Sequence, residues 1–484
     1  MEQSLLIELI RTLHPEEKEH ILQFTAFSFF NHGRMKTLVE PLLEICLRHQ
    51  WDDPLQKLDK KEMFATLFPD QKFVEGKLEK VMVEAHKVVR AFLMLQYYFR
   101  EDNEFFQNFD FSEIVRARGL YTRHQQLLVK LQKIQQEFPW KNTTYLYRQF
   151  LLEKSIHDDH SLHNQTKGDL NVPNVLLALE THFHLNRLAL LNRFLLQQKV
   201  AVIDDPETFK YVLDEISIPK IYLEYSPTLE VNNVIYSILR INSPKPSDIR
   251  FLFDLLLSQE KNLSPESLRE FYTYLRSISV LISNKFLDSE EIRVTLYELY
   301  KDNLSRGYLH YEGKLHPSTY LAVSVAAVRV NQFDWAIEFI EKHKHEVIGE
   351  NESQDLYRLN LAHYLFGIGK YSECLDNIPA TSAYVDYLLQ GKRLELKALY
   401  ELQSELLSYK LDAFKMFLSR TSQKFLSENR QQTHSDFGNL LHQLVYSNPG
   451  DPKRSELLIK RIQEKKQAAE WRWLLEKAKA LNVK

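Results

Sequence analysis

The chain has little of what cross-links, punctuates or polarises a protein. Its 484 residues include two cysteines, Cys46 and Cys374, too few for a disulfide framework and matching no metal-ligand spacing. A reducing, cytoplasmic setting is therefore expected, with both thiols serving as small buried hydrophobes. Glycine (12) and proline (16) are sparse, and glycine falls far below average usage. The scattered glycines contain neither GxGxxG nor P-loop spacing, and no Ser-His-Asp or Cys-His signature stands out. A surplus of one charge sign is also missing: 62 basic and 65 acidic residues leave a net charge of -3. No global field draws the chain to nucleic acid or an anionic membrane, so no nucleic-acid partner is expected. No run approaches the roughly 18 apolar residues of a membrane span, and the segment from Met1 to Glu8 lacks the basic start of a signal peptide.

What is present is helix. Hydrophobic residues make up 44% of the chain, and the scarcity of breakers implies long helices joined by short turns. A capping residue followed by proline recurs at Asp205-Pro206, Ser226-Pro227, Ser264-Pro265 and Asp451-Pro452. In each, the cap oxygen takes an orphan backbone donor, and proline gives up a donor that had no partner. Apolar residues at Val74, Leu78, Val81, Ala85, Val88, Phe92, Leu95 and Phe99 step by threes and fours, one stripe of a helix predicted over 73-100. The same spacing predicts helices over 59-68, 111-137, 142-157, 173-199, 318-330, 333-345, 353-367, 371-377, 384-402, 405-426 and 452-481, among others. Convincing strands are absent, with Val200-Ala201-Val202-Ile203 the one run left open. The polar segment from His157 to Asp169 suggests a boundary between an N-terminal helical portion, 1-160, and an array over 170-484.

Within that array the sequence repeats itself. Asn331-Gln332-Phe333-Asp334-Trp335-Ala336-Ile337 and Gly369-Lys370-Tyr371-Ser372-Glu373-Cys374-Leu375 share one order: turn residue, x, aromatic, x, x, small, aliphatic. Phe333 and Tyr371 lie roughly 38 residues apart, and a further step of roughly 34 carries Gly369 to Gln403 and Cys374 to Ser408. The pattern resembles the tetratricopeptide repeat, with Asn331 and Gln403 in place of its turn glycine, and Cys374 and Ser408 in place of its alanine. Along the whole chain, Met63 to Pro69, Lys77 to Met82, Phe333 to Ala336, Leu411 to Phe414 and Trp473 to Lys477 together resemble an uncharacterised family of bacterial helical-repeat proteins of roughly 500 residues. The resemblance implies an all-α, right-handed α-solenoid of antiparallel helix pairs, tetratricopeptide-like, clearest over 318-420 and closed by a capping helix at 452-481.

Such a solenoid presents an inner face lined by the first helix of each pair. The template places Ser318, Leu321, Val325, Val328 and Arg329 there in one repeat, and Leu356, Leu359, His363, Phe366 and Gly367 in the next. Most are apolar, where a receptor for acidic peptides would show bases. Self-packing, or an apolar partner segment touching Leu321, Val325, Arg329, Leu359, His363 and Phe366, is the resulting expectation.

Other constellations are weaker. His157, His160 and His163 have metal-compatible types and could support a metal-dependent enzyme, but nothing apolar fixes them, so a solvated loop is favoured. The pairs His182/His184 and His343/His345 diverge around a helix. Residues 59-95 have the outline of a helix-turn-helix DNA-binding regulator with Lys72, Lys77, Lys80, Lys87 and Arg90, yet Glu75, Glu79 and Glu84 interrupt the basic face, and packing is favoured. From Asp451 to Lys484, ten bases stand against five acids, beside an apolar line of Leu458, Ile462, Ala469 and Trp473 that suits a capping helix better than a membrane-surface helix. The sequence thus predicts a cytoplasmic protein-interaction scaffold, with no catalytic residues, no cofactor and no membrane span.

Overall fold

The computed structural model describes residues 4-49, 59-163, 170-200, 216-241, 244-285, 289-380, 384-421, 426, 428-448 and 450-481. Its described residues form 23 α-helices and one two-stranded hairpin. No helix among them is long and apolar enough to cross a membrane. The backbone divides into two compact units, Met1–Glu137 and Phe138–Lys484.

In the first unit, helices Leu5–Thr12, Lys36–Arg48 and Lys77–Tyr98 pack together, and Lys60–Leu67 adds Met63 and Phe64 to their shared core. The stripe on Lys77–Tyr98 is used as its spacing predicts: Leu78, Val81, Ala85, Val88 and Phe92 are buried. Val74 and Phe99 stay exposed, because the helix begins only after Gly76, at a left-handed φ of 79°, and ends at Tyr98. The helix expected over 111-137 is in fact two, Glu104–Ala117 and Tyr121–Glu137, broken at left-handed Gly119.

In the second unit, most helices pack on their sequence neighbours and the next one along, the pattern of an array whose elements cannot bury their stripes alone. Capping follows the sequence: Ser226 Oγ accepts from the Leu229 amide, Ser264 Oγ from Ser267 and Asp451 Oδ1 from Arg454. Asp205-Pro206 and the 201-203 part of the Val200 run lie outside the described residues. A two-stranded hairpin, His310–Tyr311 with Lys314–Leu315, corrects the expectation of no strands. Two-residue strands are too short to show alternation, and their turn rests on Glu312 and Gly313, both at positive φ.

The repeat template corresponds to one recurring turn. Asn331, Gly369 and Gln403 have φ of 59°, 80° and 52°, so the two non-glycine residues still adopt the left-handed conformation of a helix C-terminus. At each, the following amide reaches back to the same carbonyl: Gln332 to Ala327 at 3.0 Å, Lys370 to Leu365 at 2.9 Å, and Ser404 to Leu399 at 2.9 Å. Ala336 and Cys374 are fully buried at the helix crossings that follow. Burial raises both cysteine thiols to a pKa of about 12, so they behave as core hydrophobes. The capping helix expected over 452-481 is two helices, Pro452–Glu464 and Trp471–Ala480, interrupted where Glu470 turns left-handed at φ 54°.

Two substitutions at these turns should act in opposite directions. Gly369→Ala places a Cβ in the left-handed region and is expected to cost about 1 kcal/mol, whereas Gln403→Gly removes one and should gain up to about 1 kcal/mol. Urea midpoints of the two variants, compared with the parent chain, check this.

Candidate functional site

The step of roughly 34 residues that relates Gly369 to Gln403 also carries Leu359 to Arg393 and His363 to Lys397. The positions related in this way are Leu321 and Val325 in Pro317–Arg329, Leu359 and His363 in Glu350–Gly367, and the basic pair Arg393 and Lys397 in Val385–Glu401. Glu470 meets this basic column there. One carboxylate oxygen of Glu470 accepts from Arg393 Nε at 3.3 Å and the other from Lys397 Nζ at 2.8 Å. The three side chains retain only 20%, 15% and 12% of their exposure, in the order Glu470, Arg393, Lys397. Burial alone would raise the Glu470 carboxyl, but Lys397 and Arg393, with Arg329 behind them, override it and hold the group well below the usual carboxylate range.

Aromatic rings and neutral imidazoles frame this contact. Lys397 Nζ stands 4.4 Å from the centre of the Phe366 ring and 5.8 Å from that of Trp473. Arg393 Nη1 lies 3.1 Å from His434 Nδ1. A guanidinium can only donate, so His434 accepts at Nδ1 and is neutral. Burial, then Arg393 and Arg430, lowers its pKa to about 3. His363, whose buried Nε2 has no hydrogen-bond partner among the described residues, is likewise lowered to about 3, by burial and then Lys397. Arg329 is exposed and has no ion-pair partner among the described residues. Three cations, Arg329, Arg393 and Lys397, thus face one carboxylate. Arg430 is occupied by Asp386.

The docking is reciprocal. While Glu470 reaches from the C-terminal hairpin into the array, Glu401 of the array accepts from Trp473 Nε1 at 2.7 Å and Lys477 Nζ at 2.8 Å. Leu458, Ile462 and Trp473 are buried, so the apolar line of this segment serves the core.

Of the expected inner-face residues, Leu321 and Leu359 are core, Val325 and Phe366 are half-buried, His363 lies against the basic column, and Arg329 is exposed. Arg393, Lys397 and Glu470 were outside that reading, although one more step of the repeat reaches the first two. Glu470 has no local signal, because its partners lie 73 and 77 residues away.

The helix expected to end at 157 continues to His163, carrying His157 and His160 on regular helix rather than on a loop. His157 Nδ1 contacts the Leu170 carbonyl, and the side chain of His163 lies outside the described residues. His182 and His184 diverge, one against Tyr147 and the other against Tyr222. Residues 60-98 pair Lys60 with Glu79 and Lys87 with Glu84, and set Lys77 against Phe68 and Gln71. Comparison with protein-family models, curated proteins and solved structures returned no match to this chain.

The buried imidazole fixes a pH response. The folded-state pKa of His434 is depressed from 6.5 to about 3, so below pH about 6.5 the unfolded chain binds a proton that the folded chain does not, and stability falls as pH falls. From pH 7 to pH 5 the loss attributable to this residue should be about 2 kcal/mol, and His434→Gln should remove that part. Urea unfolding of both proteins at the two pH values measures it.

Proposed function

We propose that the chain is a non-catalytic protein-interaction scaffold, a tetratricopeptide-like array whose basic column grips an acidic segment of a protein partner. The observation that supports this reading is the Glu470 contact. The column already holds one carboxylate, with hydrogen-bond donors, a flanking aromatic ring and two neutral imidazoles around it, and it carries more positive charge than that carboxylate neutralises. Exposed Arg329 supplies the outer end at which a carboxylate from another chain would first be felt. Two repeats offer mainly apolar residues, which suit self-packing or an apolar partner, and the third changes the chemistry. Charge-assisted hydrogen bonds in a partly desolvated site outweigh the same contacts in open water, so a short acidic motif is the class of ligand that suits the site.

The test is fluorescence anisotropy with a fluorescein-labelled, glutamate-rich peptide and the full chain. Binding should weaken with added salt, weaken roughly tenfold in Arg329→Glu and tighten in Glu470→Gln, which frees Lys397 and Arg393. Far-UV circular dichroism establishes that each variant is folded. Binding that ignores salt and both substitutions would remove the proposal.

A further inference from the structure

The geometry points to a second site, independent of the basic column: a zinc centre formed by His310, His343 and Glu346. The sequence offers little hint of it. His343 and His345 do diverge, with His343 buried and His345 exposed, but the partners of His343 come from elsewhere. His343 ends the Phe333–His343 helix, where its ring packs 4.9 Å from that of Phe339. Glu346 follows in the turn beyond, its amide bonded to the His343 carbonyl at 3.0 Å. His310 arrives from the small β-hairpin.

The hairpin is held against this turn. The Leu315 amide donates to the Glu346 carbonyl at 2.7 Å, and the Ile348 amide donates to the Leu315 carbonyl at 3.1 Å. Leu309, Leu315 and Val347 are buried in one cluster with Phe339 and Ile340, a packed base of the kind that precise ligand geometry needs. One Glu346 carboxylate oxygen lies 2.6 Å from His343 Nδ1 and 3.2 Å from His310 Nε2.

All three donor atoms lie within 4.8 Å of one another, and no other three His, Cys, Asp or Glu donors among the described residues converge in this way. Tetrahedral zinc with two imidazole ligands and one carboxylate spaces its donors about 3.3–3.5 Å apart. The trio reaches that spacing when the Glu346 carboxylate swings out from between the two nitrogens and the two imidazoles close toward the ion. In the loaded state each imidazole presents its lone pair to the ion, His343 through Nδ1 and His310 through Nε2. Exposures of 22% for His310 and 39% for Glu346, against 7% for His343, leave a solvent side through which the ion enters. That side also leaves a fourth coordination position for water or a partner's carboxylate. Bound there, zinc ties the hairpin to the helix end.

The experiment uses the full chain, stripped with EDTA and titrated at neutral pH with Zn2+ by calorimetry and with Co2+ by its visible ligand-field absorption. One equivalent of metal and a four-coordinate cobalt spectrum are expected. His310→Asn and His343→Asn should each weaken zinc by about 100-fold or more, beyond the loss of an outer-shell partner, and Glu346→Gln should weaken it by at least about tenfold. His345→Ala should bind as the parent does. If the buried His343 does not tolerate substitution, His310→Asn alone decides the matter. No zinc uptake by the parent chain, or uptake that survives His310→Asn, overturns the assignment.

Discussion

Glu470 carries its carboxylate into a partly desolvated pocket that holds Arg393 and Lys397, and this contact joins the C-terminal hairpin to the array. Each of the three charges alone would be costly to bury, and together they are tolerable because each oxygen meets a donor. The backbone bears part of the cost: Glu470 is left-handed at φ 54°, a conformation an L side chain adopts at roughly 1–2 kcal/mol. That bend splits the C-terminal segment into two helices and aims the second back at Val385–Glu401. Trp473 and Lys477 then reach Glu401, so the array and its final hairpin each hold a carboxylate of the other.

The left-handed turns at Asn331, Gly369 and Gln403 recur with the spacing of the repeat, and that spacing relates Leu321 to Leu359 and Arg393, and Val325 to His363 and Lys397. Where the aligned residues are Leu they join the core, and where they are Arg and Lys they gather charge that only a carboxylate can balance.

Much of the fold was legible because helix signals are local. Ser226, Ser264 and Asp451 cap as their spacing implies, and the stripe on Lys77–Tyr98 is buried as its period implies. Misjudged boundaries trace to single backbone conformations. Gly119 ends a helix that the apolar pattern carries through, and Glu470 does the same with no residue-type signal, since glutamate seldom turns left-handed. The Glu312-Gly313 turn is short enough to escape notice within a helical chain. The sites were less legible than the helices. Glu470 meets Lys397 across 73 residues and His310 meets Glu346 across 36, and such meetings are properties of packing rather than of any sequence window. Arg393 and Lys397 were within reach of the repeat, one step beyond the two copies with clear aromatic wedges.

If the basic column receives an acidic segment, as proposed, a bound acidic peptide lies against it, and mapping contact shows this where affinity alone does not. A glutamate-rich peptide carrying a benzophenone can be irradiated with the full chain and the crosslinked residues located by mass spectrometry. Crosslinks concentrated on Pro317–Arg329, Glu350–Gly367 and Val385–Glu401, near Arg329 and Lys397, are expected, and they should increase when Glu470 is changed to glutamine. Crosslinks scattered over the surface, or gathered on the exposed bases of Pro452–Glu464 and indifferent to Glu470, would contradict the proposal.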